Sequence, residues 1–249
     1  MQTPVPRLLV IDISNSFTKF ALAFNGRLGR VHRVPTGELT APRFKAETAR
    51  LRIDAAIVSS VVPRRTAAIH RALGVPVHEI THRSPLGIGI DYPRPASIGA
   101  DRLANAVACV ALYGAPAIVV DFGTAVTFDV ISTAGNYIGG VIAPGLNAMT
   151  EYLHTHTALL PRIDLSEPRR AVGKSTRESM LSGAVYGYRG LITEIVKRVS
   201  AEAFPRAKPK VVATGGDAAL IARRVPLFTA VDPLLTLQGM RLVGERAFG

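Results

Sequence analysis

A short polar run carries the first residues that could do chemistry. In LLVIDISNSFTKFALAF, residues 8 to 24, an apolar segment ends at Asp12 and the small polar residues SNS follow it. Polar turns of this kind present backbone N–H groups and hydroxyls to phosphate. This turn contains no glycine, so it either binds phosphate without one or only reverses the chain.

A second segment has the same design. AIVVDFGTAVTFDVISTAGNYIGGV, residues 117 to 141, aligns with the first segment at a constant offset of 109, so that Asp12 matches Asp121 and Thr18 matches Thr127. Carboxylates at strand ends can hold a cation that neutralises phosphate charge. Two such turns facing one another would clamp a nucleoside triphosphate.

Asp101 and Arg102 form the third candidate group. They open a helical pattern in GADRLANAVACV, after the extended segment DYPRP. An aspartate at a helix start can simply cap the helix. Beside an arginine it can also take the proton of a substrate hydroxyl. Both interpretations stay open on these residues alone.

Strands and helices must position these groups. The two similar segments each predict a strand, a polar turn, a second strand, a turn and a third strand, because β-branched and aromatic residues are enriched in them. IDAAIVSSVVP and PKVVATGGDAA, residues 53–63 and 209–219, predict a later buried strand in each half. The TGGD turn admits a close nucleotide because glycine has no Cβ. We predict a duplicated domain with its boundary near Gly114 to Pro116.

The composition limits the function classes. A net charge of +12 over 249 residues raises the alternative of a basic nucleic-acid binder, but the arginines are scattered and no tryptophan is present. The only cysteine, Cys109, allows no internal disulfide and is predicted to be a core thiol in a reducing compartment. No targeting segment is visible and no apolar run reaches about 18 residues. We expect a cytoplasmic protein without membrane or nucleic-acid partners.

Three further motifs have simple interpretations. His154 and His156 could be taken for a metal pair on a strand, but no third ligand is evident nearby. Met149, Leu153 and Leu160 are predicted to form the buried face of a helix. The GKST sequence lacks the glycine spacing of a P-loop and is predicted to be a helix start.

Eight motifs in order resemble one family. They are DISNSFTK, SSVVP, DYPRPASIGADRLAN, VVDFGTAVTFDV, YIGGVIAPGL, TALLP, GKSTRESMLSG and TGGDA. The set, from about residue 8 to residue 243, is similar to the type III pantothenate kinases of the actin-like, sugar-kinase-like ATPase superfamily. The resemblance implies an α/β fold of two ribonuclease-H-like (actin-like ATPase) domains with a cleft between them, at residues 1–115 and 116–249.

The same resemblance implies an activity and a set of site residues. The family phosphorylates pantothenate with ATP to 4′-phosphopantothenate, the first step of coenzyme A biosynthesis, as a homodimer. Asp101 would be the catalytic base, and Asp121 would bind K⁺ or NH₄⁺ while Mg²⁺ accompanies ATP. The implied pantothenate-binding residues are Tyr92, Gly99, Ala100, Arg102 and Thr176. The implied ATP-binding residues are Asp12, Ile13, Ser14, Asn15, Ser16, Phe17, Thr18, Lys19 and Thr124.

One position departs from the family pattern. The family has D-x-G-N-T in the first turn, whereas this chain has Ser14 where the glycine stands and Ser16 where the threonine stands. Strain at Ser14 or Asn15 is expected if either needs a positive φ. Ser14 therefore favours one rival hypothesis, a non-catalytic regulatory relative with impaired ATP binding. Asp101, Arg102 and Asp121 favour the kinase.

Overall fold

A computed structural model describes residues 6–249 of the chain. The chain forms two compact units. The first contains the chain up to Tyr113, Gly135–Ile138 and Leu234–Gly249, and the second contains Gly114–Ala134 and Gly139–Pro233. The division at residues 115 and 116 stays a prediction from the sequence; in the structure the C-terminal segment belongs to the first unit.

Two mixed β-sheets form the framework. The first contains β1 (Leu8–Ile13), β2 (Phe17–Phe24), β3 (Arg27–Leu28), β4 (His32–Pro35), β5 (Ala55–Ser60) and β6 (Val77–Glu79). The second contains β7 (Ala117–Phe122), β8 (Ala125–Ile131), β9 (Tyr137–Pro144), β10 (Lys210–Gly215) and β11 (Ala230–Val231). These strands include all those predicted around the two polar turns and the two later strands.

Seven α-helices accompany the sheets in the described chain. They are α1 (Ala41–Thr48), α2 (Pro63–Ala72), α3 (Ala100–Tyr113), α4 (Leu146–His156), α5 (Thr176–Ala203), α6 (Ala218–Ala222) and α7 (Leu235–Phe248). Short 3₁₀ helices lie at Thr36–Glu38 and Pro95–Ser97. Within residues 6–249, none of the helices combines the length and the apolar character that a membrane crossing needs.

The central strand β1 shows how the first unit is built. All six of its residues are buried, because β2 and β5 flank it and side chains cover both of its faces. Leu9, Ile11 and Ile13 alternate along the strand and join a core cluster with Phe20 and Phe44. The other face of the sheet is covered by α7, which contacts β1 and β5. Apart from Asp12, β1 is therefore an apolar strand, and it places Asp12 near its carboxyl end.

The two sheets share the order of five strands. The first has the order β3-β2-β1-β5-β6, with β4 also paired to β2, and the second has the order β9-β8-β7-β10-β11. In each sheet the first strand of its half pairs antiparallel with the next strand and parallel with the later strand. This shared order confirms that the two halves of the chain are built alike.

The constant offset of 109 is wrong beyond the turns. In the first hairpin Asp12 pairs with Lys19, whereas in the second Asp121 pairs with Thr127. Four residues separate Ile13 from its partner Thr18, but only three separate the last paired residues of the second hairpin. The second strands therefore correspond at an offset of 108, because the second turn is one residue shorter.

Helix α4 corrects two further expectations. His154 and His156 lie in this helix and not on a strand. Residues two positions apart point to the same side of a strand but not of a helix, so these two side chains do not share a side. Met149 and Leu153 are exposed, so the predicted buried face is wrong. Among residues 6–249, no group of three or more His, Cys, Asp or Glu side chains is arranged to hold a metal ion. Cys109 is fully buried, as predicted.

Candidate active site

The first polar turn lies between β1 and β2 and presents a buried carboxylate. Asp12 is only 5% exposed at the carboxyl end of β1. The Ser14 hydroxyl donates to this carboxylate, at 3.3 Å from Oδ1 and 3.2 Å from Oδ2. The backbone N–H of Ser14 donates to the carbonyl oxygen of Phe17 at 3.2 Å. Ser14 is therefore an integral part of the turn.

Thr36 braces this turn from the 3₁₀ helix that follows β4. Its hydroxyl donates to the Ser14 carbonyl oxygen at 2.7 Å, and its N–H donates to the Ser16 carbonyl oxygen at 3.0 Å. The Thr18 and Thr36 hydroxyl oxygens lie 3.1 Å apart. Since a hydroxyl has one proton and Thr36 donates it to Ser14, Thr18 is the donor in this pair. The turn is thus held by a continuous hydrogen-bond network.

The backbone of the turn carries no left-handed strain. Among the described residues, the only non-glycine residue with a positive φ is Asn25, at 49°. Ser14 and Asn15 therefore have ordinary φ values, and the strain expected from the missing glycine is absent. Strain was expected only if one of these residues needed a positive φ, and neither does in this turn.

The corresponding edge of the second unit is formed by closely packed loops. Asp121 is the partly buried fifth residue of β7, and Thr124 lies in the turn that follows this strand. The N–H of Gly145, just before α4, donates to the Thr124 carbonyl oxygen at 3.1 Å. At Gly215, where φ is +94°, a Cβ would lie 2.6 Å from Asp121 Oδ1 and 2.5 Å from the Phe122 carbonyl oxygen. The TGGD turn can approach Asp121 only because this residue is glycine.

Asp217 adds a second carboxylate to this edge. Its Oδ2 accepts a hydrogen bond from Asn147 Nδ2 at 3.0 Å. Burial raises the pKa of Asp217, and the Asn147 hydrogen bond opposes that rise. Burial also raises the pKa of Tyr188, and the negative charge of Asp217 adds to it. The edge therefore contains oxygen donors, which suit hard cations and the polar groups of a nucleotide.

The predicted base and its neighbour lie at the start of α3. Asp101 is the second residue of this helix, and its Oδ1 accepts the N–H of Arg102 at 2.9 Å. A Cβ at position 99 would lie 2.5 Å from the same oxygen, so Gly99 leaves room for the carboxylate to turn back. Asp101 thus accepts a backbone N–H in the first turn of α3 and presents a carboxylate there, and both interpretations of the sequence stay open.

Arg102 and Tyr92 meet on a third side chain, Tyr137. The Arg102 guanidinium carbon lies 5.6 Å from the centroid of the Tyr137 ring. The Tyr92 ring lies 6.1 Å from it, nearly perpendicular at 78°. Two predicted substrate-binding residues are thus brought together within the first unit, although nine residues lie between them in the chain.

The comparisons with known proteins identify the family. A sequence model described as type III pantothenate kinase matches residues 8–198. The type III pantothenate kinase of Akkermansia muciniphila is 54% identical over 235 residues, which cover 94% of this chain and 96% of the relative. The one from Methylacidiphilum infernorum is 41% identical over 238 residues, with 96% and 88% covered. The chain belongs to the type III pantothenate kinase family.

Solved structures extend this family assignment to the fold. The ethanolamine utilization protein EutJ from Carboxydothermus hydrogenoformans has a TM-score of 0.59 at 18% identity, covering 98% of this chain and 92% of that one. An archaeal actin homologue has a TM-score of 0.54 at 12% identity, with 96% and 99% covered. At these identities only the fold is comparable. They confirm the predicted α/β fold of two actin-like ATPase domains for this pantothenate kinase family member.

The site residues predicted for this family member divide between the two units. Those in the first unit are Asp12, Ile13, Ser14, Asn15, Ser16, Phe17, Thr18, Lys19, Tyr92, Gly99, Ala100, Asp101 and Arg102. Those in the second unit are Asp121, Thr124 and Thr176. Thr176 is the first residue of α5, whose N-cap Ser175 accepts the N–H of Glu178 at 3.2 Å. The GKST sequence is a helix start, as predicted.

Sequence reasoning missed two residues of these clusters. Asp217 had a signal, because it follows directly after the two glycines of the TGGD turn. Tyr137 had almost none. It precedes the GG of YIGGV, but it is separated by 45 positions from Tyr92 and by 35 from Arg102. Only the folded chain brings these three side chains together.

Proposed function

We propose that the chain transfers the γ-phosphate of ATP to the hydroxyl of pantothenate and so forms 4′-phosphopantothenate. The observation that carries this proposal is the match to the type III pantothenate kinase family over nearly the whole chain, at up to 54% identity. The two polar turns and the Asp101 helix start are chemically suited to the reaction. Phosphoryl transfer depends mainly on alignment and on neutralising charge.

Asp101 is the general base in this proposal. It accepts the proton of the pantothenate hydroxyl as that oxygen forms a bond to the γ-phosphorus, while the bond from that phosphorus to the β,γ-bridging oxygen breaks and ADP leaves. The Arg102 N–H on Asp101 Oδ1 fixes one carboxylate oxygen at 2.9 Å and leaves the other to accept the proton. A general base contributes about 10²–10⁴-fold to the rate.

The pantothenate carboxylate is assigned to Arg102. A planar guanidinium can pair with a carboxylate through two parallel hydrogen bonds. Tyr92, which is 36% exposed, supplies an aromatic wall with room for a ligand. Gly99 and Ala100 supply backbone at the start of α3, and Thr176 contributes from the start of α5.

The ATP phosphates are assigned to both polar turns. In the first turn the segment from Asp12 to Lys19 offers hydroxyls and the Lys19 ammonium, and in the second turn Thr124 offers a hydroxyl. Asp121 would hold K⁺ or NH₄⁺, and its carboxylate and the nearby Phe122 carbonyl oxygen are oxygen donors of the type that such a cation prefers. Mg²⁺ would enter with ATP and neutralise phosphate charge.

The proposed assembly is a homodimer. Helix α4 supports it, because Met149, Tyr152 and Leu153 lie on one side of the helix and are all exposed. Exposed apolar groups that cluster in this way are typical of a contact surface. Sedimentation velocity at micromolar concentration tests the proposal: a dimer is expected, and a monomer would overturn it. The cytoplasmic location stays a prediction from the sequence.

The experiment for the reaction is an ADP-release assay with purified protein, ATP and Mg²⁺. Pantothenate-dependent ADP release is expected, and it should rise when K⁺ or NH₄⁺ replaces Na⁺. Detection of 4′-phosphopantothenate by mass spectrometry distinguishes transfer from simple ATP hydrolysis. Absence of pantothenate-dependent turnover with every cation would overturn the proposal. Since Ser14 shows no strain, no observation favours the rival hypothesis of a non-catalytic relative.

A further inference from the structure

The backbone of Tyr137 is hydrogen-bonded to the segment that leads to Tyr92. Its N–H donates to the Gly89 carbonyl oxygen at 2.9 Å, and its own carbonyl oxygen accepts the Asp91 N–H at 2.8 Å. Ile90, between these two residues, forms a parallel bridge with Tyr137. Tyr92 is the next residue after this doubly bonded segment. Its backbone position is therefore set by Tyr137.

A glycine lies where these two segments approach each other closely. A Cβ at position 89 would collide with the Asn136 side chain, with its Cγ at 2.8 Å. Gly89 has no side chain, so residues 89–91 can lie directly against Asn136 and Tyr137. A Cβ at this position would require a shift of the Asn136 side chain or of residues 89–91.

The Tyr137 ring then contacts the two proposed pantothenate-binding side chains. The residue is 1% exposed, so its ring is held by surrounding atoms and has a single position. Tyr92 packs edge-on against it at 6.1 Å, and the Arg102 guanidinium carbon lies 5.6 Å from its centroid. Perpendicular aromatic pairs and cations near a ring face are both favourable arrangements.

This contact matters most for Arg102. An arginine side chain has several rotatable bonds, and a free one would lose that freedom when a substrate binds. A guanidinium that already lies against a buried ring loses less conformational freedom when the substrate binds. The same residue also donates its backbone N–H to the Asp101 carboxylate, so its placement bears on the proposed base as well.

We propose that Tyr137 is a positioning residue for the acceptor substrate. It acts through Tyr92 and Arg102, which it holds in the arrangement that binds the pantothenate carboxylate and chain, and it does not itself touch the reacting atoms. The proposal rests on the proposed function of those two residues. It predicts that loss of the Tyr137 ring weakens pantothenate binding and spares ATP binding.

The test compares Tyr137→Phe and Tyr137→Leu with a matched control, Phe44→Leu. Phe44 is a fully buried aromatic residue of α1 in the core of the same unit. Tyr137→Leu should raise KM for pantothenate about tenfold or more, since small misplacements at a site can cost up to about a hundredfold. Its KM for ATP should stay within about twofold, as expected when only acceptor binding is lost. Tyr137→Phe should keep KM near the wild-type value, because it keeps the ring.

The control separates positioning from packing. Phe44→Leu should lower the melting temperature to a similar extent and leave KM for pantothenate unchanged. If Tyr137→Leu also leaves this KM unchanged, Tyr137 is only a core residue and the proposal fails. If Tyr137→Phe behaves like the leucine variant, the ring does not carry the effect and the proposal fails as well.

A second variant covers the case in which Tyr137→Leu does not fold. Tyr137→Met should raise KM for pantothenate, again with KM for ATP unchanged, because methionine fills buried space without supplying a ring. A wild-type KM in Tyr137→Met would contradict the proposal. Failure of the proposed function has a different signature, because the wild-type protein would then show no pantothenate-dependent turnover at all.

Discussion

The two Asp-led turns have the same position in their sheets but are closed by different residues and different hydrogen bonds. In the first turn Ser14 closes a four-residue loop and its hydroxyl donates to Asp12. In the second turn Gly123 closes a three-residue loop, its N–H donating to the Ala125 carbonyl oxygen at 3.1 Å. A Cβ on Gly123 would lie 3.3 Å from that same oxygen, which is closer than an ordinary contact.

The comparison explains why a serine is tolerated in one turn and a glycine is found in the other. The second turn is compressed by its neighbours, since a Cβ on Gly145 would lie 2.5 Å from the Gly123 carbonyl oxygen. The first turn is one residue longer and is braced by Thr36 through side-chain and backbone hydrogen bonds. Glycine thus avoids a tight contact in the second turn, whereas in the first turn the Ser14 side chain takes part in the hydrogen bonding.

The largest expected effect concerns a residue in neither turn. If both turns serve the phosphates, the proton of the acceptor hydroxyl must be taken elsewhere, and Asp101 is the proposed base. Asp101→Asn should keep the fold and ATP binding but reduce kcat by about 10²–10⁴-fold. Steady-state kinetics and ATP titration measure the two quantities. Near-normal turnover would contradict the base assignment and leave proton removal to one of the turns.

The second prediction tests whether the second turn binds the monovalent cation while the first turn binds ATP. Asp121→Asn should raise the K⁺ concentration for half-maximal activation by about 10–100-fold, because a contact with a charged group is worth about 1.5–3 kcal/mol. KM for pantothenate should change much less. The matched variant Asp12→Asn should instead raise KM for ATP and leave the K⁺ midpoint unchanged. Equal K⁺ shifts in both variants would mean that the turns are not specialised.

Local patterns in the sequence predicted the framework around these turns. The short apolar runs before Asp12, before Asp121 and before the small-residue turn after residue 213 are typical of buried strands, and both halves proved to share an order of five strands. The helix at GADR was also predicted correctly, because apolar residues recur along it at helical spacing. Strand period and helix period are local properties, so a single sequence contains them.

The features that were missed depend on the length of turns and on distant contacts. The offset changes from 109 to 108 because the second turn is one residue shorter. The pattern of the flanking strands does not depend on the length of the turn, so the sequence did not show this change. Met149 and Leu153 have the spacing of a buried helix face, but spacing does not say whether anything covers that face. Tyr137 contacts residues in an earlier part of the chain, and no short motif predicts these contacts.

The third prediction concerns the crowding at the second turn. Gly215→Ala places a methyl group 2.5 Å from the Phe122 carbonyl oxygen and 2.6 Å from Asp121 Oδ1, at a φ of +94°. A non-glycine residue at positive φ costs about 1–2 kcal/mol before any collision is counted. The melting temperature should fall by roughly 2–8 °C for a chain of this size. Calorimetry measures the change, with Gly216→Ala, where a Cβ meets nothing within 4 Å, as the control.

The smallest effects are expected at Ser14. Because its φ is ordinary, Ser14→Gly relieves no strain and adds conformational freedom to the unfolded chain. Stability should fall by about 0.5–1 kcal/mol, and KM for ATP should stay the same or decrease. Ser14→Ala is the companion variant, since it removes the hydroxyl that donates to Asp12 and keeps the Cβ. Thermal unfolding and ATP titration of both variants provide the comparison.

The pattern across the two Ser14 variants decides what the serine does. A loss of stability in Ser14→Gly with unchanged KM for ATP means that this turn binds phosphate as well with serine as with glycine. A lower KM for ATP in Ser14→Gly alone means that the Cβ crowds the nucleotide, as glycine at the matching position 123 would suggest. A large rise in KM for ATP in both variants would mean that the hydroxyl contacts phosphate directly. In that case its hydrogen bond to Asp12 is exchanged when ATP binds, and the two turns differ in ligand contacts as well as in packing.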